Sequence, residues 1–245
     1  MLAVIGGSGL SQFTGLEGAR DVLVRTPYGD PSGLLTLGAI RGQAIVFLAR
    51  HGSEHRIAPH EINYRANLWA LKEQQAAGVV AIATVGGIRN DLRPGTLLLP
   101  DQILDYTWGR RSTYFEGDGT TVTHIDFTEP YSMTLRARIA AAAAACGEPI
   151  VDGGVYAATQ GPRLESAAEI DRLERDGADV VGMTGMPEAC LARELGLEYA
   201  AIAIVVNPAA GRAESARAIS LAQIQVVLTQ TMKRVRTIIE TLVTQ

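Results

Sequence analysis

Long hydrophobic runs and closely spaced cysteines are both missing from this sequence. No apolar stretch reaches the length of a transmembrane helix, and the amino terminus lacks the basic residues and the longer apolar core of a signal peptide. The two cysteines, Cys146 and Cys190, are not arranged as CxxC. These absences argue against a membrane partner and favour a reducing compartment, so we expect a cytoplasmic protein.

An excess of positive charge is also absent. The chain has 22 lysine and arginine residues against 26 aspartate and glutamate residues, a net charge of −4, and no basic block. Nucleic acid is therefore not an expected partner. The sequence has no HExxH motif, no Cys/His cluster and no pair of carboxylates at short spacing, so we expect no metal site.

Two common nucleotide-binding motifs are missing or incomplete. There is no GxxxxGK[ST] sequence, and the glycine-rich segment from Gly6 lacks the third glycine of the dinucleotide motif, where Gln12 stands. What remains is a turn with exposed N–H groups and the hydroxyl of Ser8. That turn suits an anion, although an ordinary tight turn is the simpler interpretation.

The features that are present indicate an α/β protein. A length of 245 residues, with 47% hydrophobic and 20% charged residues, is typical of a globular protein with a large core. Apolar segments of strand length alternate with amphipathic helical segments, and no repeat or linker interrupts them. We therefore predict a single domain over residues 1–245, with a central mixed β-sheet flanked by helices.

The predicted elements follow one another along the whole chain. Strands are predicted at residues 2–5, 21–26, 35–40, 44–48, 79–85, 96–100, 103–106, 153–158, 179–182 and 199–206. Helices are predicted at residues 63–75, 131–146, 166–174 and 219–244, with another that begins within 183–188 and ends at 195. Residues 109–124 form a long polar connection, and connections of this length are often functional or lie at a subunit contact.

The apolar segment from Tyr199 to Val206 is the clearest buried strand. Its composition suits burial on both faces. The strand is expected to stop at Asn207 and Pro208, because proline lacks the N–H that a central strand needs. Asn207 is then the first side chain with both a donor and an acceptor at the carboxyl end of a core strand, where α/β sheets bind ligands. A turn-opening asparagine is an equal alternative.

Other polar side chains follow predicted strands at the same edge of the sheet. Arg50 and His51 would bring a planar cation that matches phosphate and a hydrogen-bonding ring. Thr84 and Thr184 would add hydroxyl groups. Each has an ordinary alternative: Arg50 as a surface ion pair, Thr84 as a simple strand residue and Thr184 as a helix cap. One cation with several hydroxyls favours a phosphate site.

Glu165 adds an acid to this set. A glutamate at a helix start is favoured by the helix dipole whatever the function, so the position alone decides little. Together, an acid and the amide of Asn207 suit a polar heterocycle. The histidines at His60 and His124 are, on the pattern of residues alone, more typical of ordinary positions than of ligands.

Several segments resemble one known family. The chain contains IGGSGL near its start, TPYGDPS from Thr26, ARHG from Ala49, NYRANLWALKE from Asn63, QGPRLES from Gln160, MTGMPEACLARELGL from Met183 and a final IVVN. In this order these segments resemble the purine nucleoside phosphorylase and methylthioadenosine phosphorylase family. The resemblance implies an α/β homotrimer, or a dimer of trimers, that splits a purine nucleoside with inorganic phosphate as co-substrate. It implies neither a metal nor an organic cofactor.

The resemblance also assigns site residues. The family's phosphate-binding positions correspond to Ser8, Arg50, His51, Thr84 and Thr184, with the backbone of Val85. Met183 matches the residue that lies against the ribose, and Leu164 stands where the family often has a phenylalanine stacked on the base. Asn207 and Glu165 match the positions that recognise the base, and the Asn207 amide would stabilise the departing purine at N7.

The base positions favour a 6-oxopurine. Methylthioadenosine phosphorylases typically carry aspartate at two positions that correspond here to Asn207 and Ala209. An amide can donate to both N7 and O6 of a 6-oxopurine, and Glu165 can accept from its N1–H. A buried polar mismatch costs roughly 1–3 kcal/mol, so two mismatches would disfavour adenine and hypoxanthine is the expected base.

The sugar positions favour a methylthio group. Where 6-oxopurine phosphorylases place a histidine near the 5′-hydroxyl, this chain has the apolar Leu221 and Ile224. An apolar pocket favours a methylthio group over a hydroxyl by roughly 1–3 kcal/mol. His124 matches a position that, in the methylthio enzymes, reaches in from a neighbouring subunit. The expected substrate is 5′-methylthioinosine, with methylthioadenosine, inosine or guanosine as alternatives. A nucleosidase that uses water and an inactive nucleoside-binding protein are the alternatives from other classes.

Overall fold

A computed structural model describes residues 1–117 and 119–245 and contains one mixed β-sheet flanked by helices, which confirms the predicted fold class. The strands are β1 (Leu2–Gly6), β2 (Glu17–Val22), β3 (Leu35–Ile40), β4 (Gln43–Ala49), β5 (Gly78–Gly87), β6 (Leu97–Leu99), β7 (Gln102–Asp105), β8 (Val151–Asp152), β9 (Val155–Ala158), β10 (Val180–Gly182) and β11 (Glu198–Pro208). The helices are α1 (Tyr64–Glu73), α2 (Met133–Ala145), α3 (Ala167–Arg175), α4 (Gly185–Glu194) and α5 (Leu221–Thr244), with one 3-10 turn at Ala213–Ser215. Within the described ranges, none of the helices combines the length and the apolar character that crossing a bilayer requires.

The parallel pair of β5 and β11 forms the centre of the sheet, and it is paired along the full length of β5. Alternate residues of β11 enter two separate hydrophobic clusters. Tyr199 and Ala201 lie in one cluster, whereas Ala200 and Ile202 lie in the other. Burial of both faces explains why apolar residues follow one another without interruption in this strand.

Helices cover both faces of the sheet. One cluster contains residues of α1 and α4, such as Leu68 and Leu191, and the other contains residues of α2 and α5, such as Leu135 and Val235. The short α3 packs through Ile170 on a smaller cluster beside β9 and β10. The sheet is therefore a rigid layer between two layers of helices.

The topology brings several strand ends to one edge. The strands β4, β1, β5 and β11 run parallel to one another, so their carboxyl ends lie side by side. β10 pairs antiparallel with the last residues of β5, and β9 is parallel to β10. The loops after β9 and β10 therefore reach the same region as the loops after the parallel strands.

Three strands differ from the sequence prediction, and one of them, the two-residue β8 at Val151–Asp152, was not predicted. The strand predicted at residues 21–26 lies at Glu17–Val22, because antiparallel pairing with β3 defines it and its residues are mostly exposed. In addition, β11 does not stop before Asn207 but continues through Pro208. A register shift after Val205 creates an irregularity that allows the strand to stay paired with the end of β5 despite the proline.

The predicted long connection at residues 109–124 contains no helix or strand at its described positions, and position 118 lies outside the described residues. Tyr114 holds the connection against the helical layer. Its backbone N–H donates to Glu194 of α4 at 2.7 Å, and its hydroxyl donates to the carbonyl of Arg65 in α1 at 2.9 Å. The first half of the connection is thus fixed to two helices.

Candidate functional site

A cavity of about 730 Å³ opens at the edge where β1, β4, β5 and β11 end. This volume is typical of a small-molecule site. The predicted residues that line it are Ser8, Arg50, His51, Thr84, Val85, Leu164, Glu165, Met183, Thr184, Asn207 and Ile224. Ile219 and Leu228 add apolar surface. The fold therefore brings the phosphate, ribose and base positions of the sequence analysis into one cavity.

Two predicted site residues lie outside this cavity. Leu221, the first residue of α5, is 69% exposed and does not line the cavity. One turn later, Ile224 faces the cavity instead. His124 is exposed near the end of the long connection. Its predicted contact is with a neighbouring subunit, so that contact stays a prediction.

Arg50 is the buried cation of the cavity, with 1% of its surface exposed. Its Nε and Nη2 atoms donate to the two carboxylate oxygens of Glu188 at 2.7 and 2.8 Å, and Nη1 donates to the carbonyl of Ile82 at 2.8 Å. Burial by itself would lower the pKa of Arg50, but the charge and hydrogen bonds of Glu188 outweigh it and raise the pKa. Three of the five N–H groups are used inside the protein, which leaves two for a ligand.

Gly7 packs directly against this guanidinium. A Cβ atom at position 7 would lie 2.4 Å from the carbonyl oxygen of Ile82 and 3.0 Å from Nη1 of Arg50. Any side chain here would displace the carbonyl that holds Arg50. The glycine-rich turn is therefore a tight turn, as the simpler interpretation holds, and also a wall of the cavity.

His51 offers the cavity an acceptor and not a charge. Its Nδ1 atom lies 2.8 Å from the carbonyl of Ile57, which accepts only, so Nδ1 carries the hydrogen and Nε2 has a free lone pair. Burial, followed by the nearby charge of Arg50 and the ring of His55, lowers the pKa of His51 to about 4. At neutral pH the imidazole is therefore neutral.

The lowered pKa of His51 predicts a loss of stability in acid. Below about pH 6.5 the unfolded side chain takes up a proton, whereas the folded one does so only near pH 4, so the unfolding free energy falls as the pH falls through this window. We expect His51 to account for roughly 2–3 kcal/mol of the decrease between about pH 7.5 and about pH 4.5. Urea unfolding of the wild type and of His51→Gln at both pH values measures this contribution. The exposed-site control His60→Gln should keep the wild-type decrease, and an equally steep decrease in His51→Gln would contradict the assignment.

The hydroxyl groups come from three different elements. Ser8 follows β1, and its Oγ lies 3.4 Å from Nε2 of His55. Thr84 lies in β5 and lines the cavity. Thr184 precedes α4 but makes no side-chain cap bond to the helix, which removes the helix-cap interpretation. Its backbone N–H donates to the hydroxyl of Tyr156 at 3.4 Å, and it lines the cavity.

The amide and the acid predicted to read the base are both held by neighbours. Nδ2 of Asn207 donates to the carbonyl of Pro208 at 2.5 Å, so one amide N–H and Oδ1 remain for a ligand. The donation to both N7 and O6 expected from the sequence is thereby reduced to one. The hydroxyl of Thr159 donates to Oε1 of Glu165 at 2.6 Å, which leaves Oε2 as a free acceptor.

Arg110, in the long connection, ties two loops of the cavity together. Its Nη1 atom donates to the carbonyls of Met183 and Met186 at 2.8 and 2.6 Å. Its Nη2 atom donates to the carbonyls of Gln160 and Thr159 at 2.9 and 3.3 Å. One guanidinium thus fixes both the loop that leads to Glu165 and the loop that carries Thr184.

Several residues that shape the cavity are not among those predicted from the sequence. His55 and Ile219 line it directly, whereas Glu188, Thr159 and Arg110 act through the residues they hold. Glu188 lies inside one of the family-like segments and Thr159 directly precedes another, but a pattern of residue types does not reveal which side chains they contact. In the part of the chain that the structure describes, no three His, Cys, Asp or Glu residues converge as a metal site.

Comparison with known proteins gives a consistent set of similarities. The family model described as Phosphorylase superfamily matches residues 1–244. A protein of Pseudomonas syringae pv. tomato, named probable S-methyl-5′-thioinosine phosphorylase, is 53% identical over 96% of this chain and 94% of its own length. A 6-oxopurine nucleoside phosphorylase of Pyrococcus furiosus is 45% identical over 86% of this chain and 80% of its own length.

A solved structure shares the whole fold. Methylthioadenosine phosphorylase from Schistosoma mansoni, in complex with adenine, superimposes with a TM-score of 0.92 at 32% identity. The match covers 99% of this chain and 90% of that one. The similarities therefore extend over nearly the full length of the chain.

Proposed function

This chain belongs to the phosphorylase superfamily, and we propose that it catalyses the phosphorolysis of 5′-methylthioinosine to hypoxanthine and 5-methylthioribose 1-phosphate. One observation carries the proposal: the same cavity holds a buried arginine with hydroxyl side chains, and an acid with an amide. The first group suits phosphate and the second suits a 6-oxopurine. The similarity to a probable S-methyl-5′-thioinosine phosphorylase supports the same choice of substrate.

The phosphate half of the cavity supplies the nucleophile. The two free N–H groups of Arg50 and the hydroxyls of Ser8 and Thr184 hold the anion beneath the sugar. The neutral Nε2 of His51 accepts the hydrogen that hydrogen phosphate carries at neutral pH. As the glycosidic bond breaks, positive charge develops on the ribose, and the adjacent phosphate stabilises it before its oxygen bonds to the anomeric carbon.

The base half of the cavity accepts the leaving group. The bonding electron pair moves onto the purine, and the remaining N–H of Asn207 donates to N7, where negative charge develops. The free Oε2 of Glu165 accepts from N1–H of a 6-oxopurine. Adenine has no N1–H and presents a lone pair there, so the Glu165 carboxylate disfavours it. With one Asn207 donor engaged by the backbone, Glu165 carries much of the discrimination.

The apolar part of the cavity explains the proposed preference for a sugar with a 5′-methylthio group. Ile219, Ile224 and Leu228 offer no hydrogen-bond partner to a 5′-hydroxyl. A methylthio group loses less than a hydroxyl when it is buried against such a surface, by roughly 1–3 kcal/mol. The proposed site therefore combines the base preference of one group of phosphorylases with the sugar preference of another.

Initial rates on three nucleosides test this assignment. We expect kcat/KM to decrease in the order methylthioinosine, methylthioadenosine and inosine, with about tenfold or more between the first two because one buried polar mismatch costs roughly 1–3 kcal/mol. Release of each base is measured with saturating phosphate and in phosphate-free buffer. A higher value for methylthioadenosine would overturn the base assignment. Undiminished activity without phosphate would identify a nucleosidase.

We extend the proposal to the assembly and the surroundings of the enzyme. Phosphate acts as a co-substrate, and no organic or metal cofactor takes part. A homotrimer, or a dimer of trimers, in the cytoplasm would place His124 of one subunit at the apolar end of the cavity of the next. The mass of the protein in solution, measured by light scattering, tests the assembly.

A further inference from the structure

Glu188 lies behind the phosphate-binding face of Arg50 and does not line the cavity. Both side chains are 1% exposed, and their paired contacts of 2.7 and 2.8 Å fix the guanidinium in one plane. The hydroxyl of Tyr199 donates to Oε1 of Glu188 at 2.8 Å. Glu188 therefore accepts three hydrogen bonds on its two oxygens, two of them from the guanidinium of Arg50.

This carboxylate offsets the positive charge that an anion would meet. Among the described residues that line the cavity, the other arginine is Arg56, whose side chain is 82% exposed and pairs with Glu54 at 2.6 Å. His51 is neutral at neutral pH, because burial and the charge of Arg50 lower its pKa to about 4. The anion-binding part of the cavity is therefore rich in hydrogen-bond donors but low in net positive charge.

We propose that Glu188 is the positioning residue for Arg50 and the counter-charge that limits the affinity of the site for phosphate. The inference rests on the proposed function, in which Arg50 binds that phosphate. The side-on contact with Glu188 directs the remaining N–H groups towards the cavity. At the same time it prevents a buried, uncompensated cation from holding the phosphate too tightly in the ground state.

The balance between the charges of Arg50 and Glu188 affects the reaction as well as phosphate binding. Phosphorolysis requires the phosphate to carry negative charge towards a ribose that becomes positive. An uncompensated Arg50 would stabilise bound phosphate before reaction and would repel the positive charge on the sugar. Removing the Glu188 charge should therefore tighten phosphate binding and slow turnover, whereas loss of a merely structural contact would weaken both.

The test compares phosphate binding by the wild type and Glu188→Gln. Isothermal titration with inorganic phosphate should give a dissociation constant lower by on the order of tenfold in the variant, as charges roughly 10–12 Å apart on opposite sides of a guanidinium predict at an effective dielectric of about 20. Its kcat on methylthioinosine should fall by about tenfold or more. Without ligand the variant should melt at a lower temperature, and phosphate should raise its melting temperature by more than in the wild type.

Two further variants separate charge from packing. Glu188→Asp keeps the charge, so its phosphate affinity should stay near the wild-type value even though its stability falls. Glu148→Gln is the matched control, because Glu148 pairs with Arg234 at 2.6 Å and neither lines the cavity. That control should be less stable but should bind phosphate as the wild type does.

The results of these measurements separate a failure of the inference from a failure of the proposed function. An unchanged or higher phosphate dissociation constant in Glu188→Gln would overturn the inference. Failure of that variant to fold in saturating phosphate would also overturn it, because the bound anion should supply the negative charge that the variant lacks. If the wild type itself neither binds phosphate nor uses it, the proposed function fails instead.

Discussion

Replacing Arg50 by methionine should lower kcat/KM for phosphate by about a thousandfold, the upper end of the effect seen when one hydrogen-bond donor is removed from a transition-state site. The variant loses the two N–H groups of Arg50 that have no partner among the described residues. The hydroxyls of Ser8 and Thr184 remain, so some phosphate binding persists. Affinity for hypoxanthine should stay within about threefold, because the base contacts come from other residues.

The same substitution should also lower the unfolding free energy by about 3–5 kcal/mol, because it leaves the Glu188 carboxylate buried without its partner. The double variant Arg50→Met with Glu188→Met removes both charges and should recover most of that stability. It should not recover activity. Urea unfolding together with rates at varied phosphate separates the two effects, and a double variant that regains phosphorolysis would remove Arg50 from the phosphate site.

Changing Asn207 to aspartate should shift the base preference towards 6-aminopurines. A carboxylate at this position has two oxygens that can accept from an exocyclic amine, whereas the present amide has one such oxygen, Oδ1, beside an N–H that suits a 6-oxo group. We expect the ratio of kcat/KM for methylthioinosine to that for methylthioadenosine to fall by about a hundredfold, near the upper end of one polar mismatch. The comparison is made on both nucleosides at saturating phosphate.

A matched control uses the other base-reading residue. Glu165→Gln replaces the acceptor for N1–H by an amide of the same shape, so it should lower activity on methylthioinosine more than on methylthioadenosine. Leu164→Ala changes the stacking surface without changing hydrogen-bond polarity, and it should affect both nucleosides alike. If Asn207→Asp leaves the ratio of the two substrates unchanged, the amide does not select the base.

The parts of the molecule that depend on local pattern could be predicted from the sequence. The unbroken apolar segment from Tyr199 to Val206 predicts a strand buried on both faces, and the structure places it at the centre of the sheet. Polar residues directly after such strands share one edge because parallel strands end on the same side. This rule by itself predicts that Arg50 and Asn207 lie in the same region.

The parts that depend on long-range contacts could not be predicted in this way. Arg50 and Glu188 are 138 positions apart, and the sequence gives no sign that they form a pair. Packing also decides which helical turn of α5 lines the cavity. Helical periodicity allows either Leu221 or Ile224 to face the cavity, and in the structure Ile224 does so. The edge strand β2 is likewise set by its partner β3 and not by its own residues.

The contacts of Arg110 restrain two loops that line the cavity. The loop that leads to Glu165, the proposed base-reading acid, and the loop that carries Thr184, a proposed phosphate ligand, are both tied to this one side chain. Outward movement of either loop would break the hydrogen bonds that its carbonyls accept from Arg110. Loss of the Arg110 guanidinium would therefore release both loops of the cavity at once.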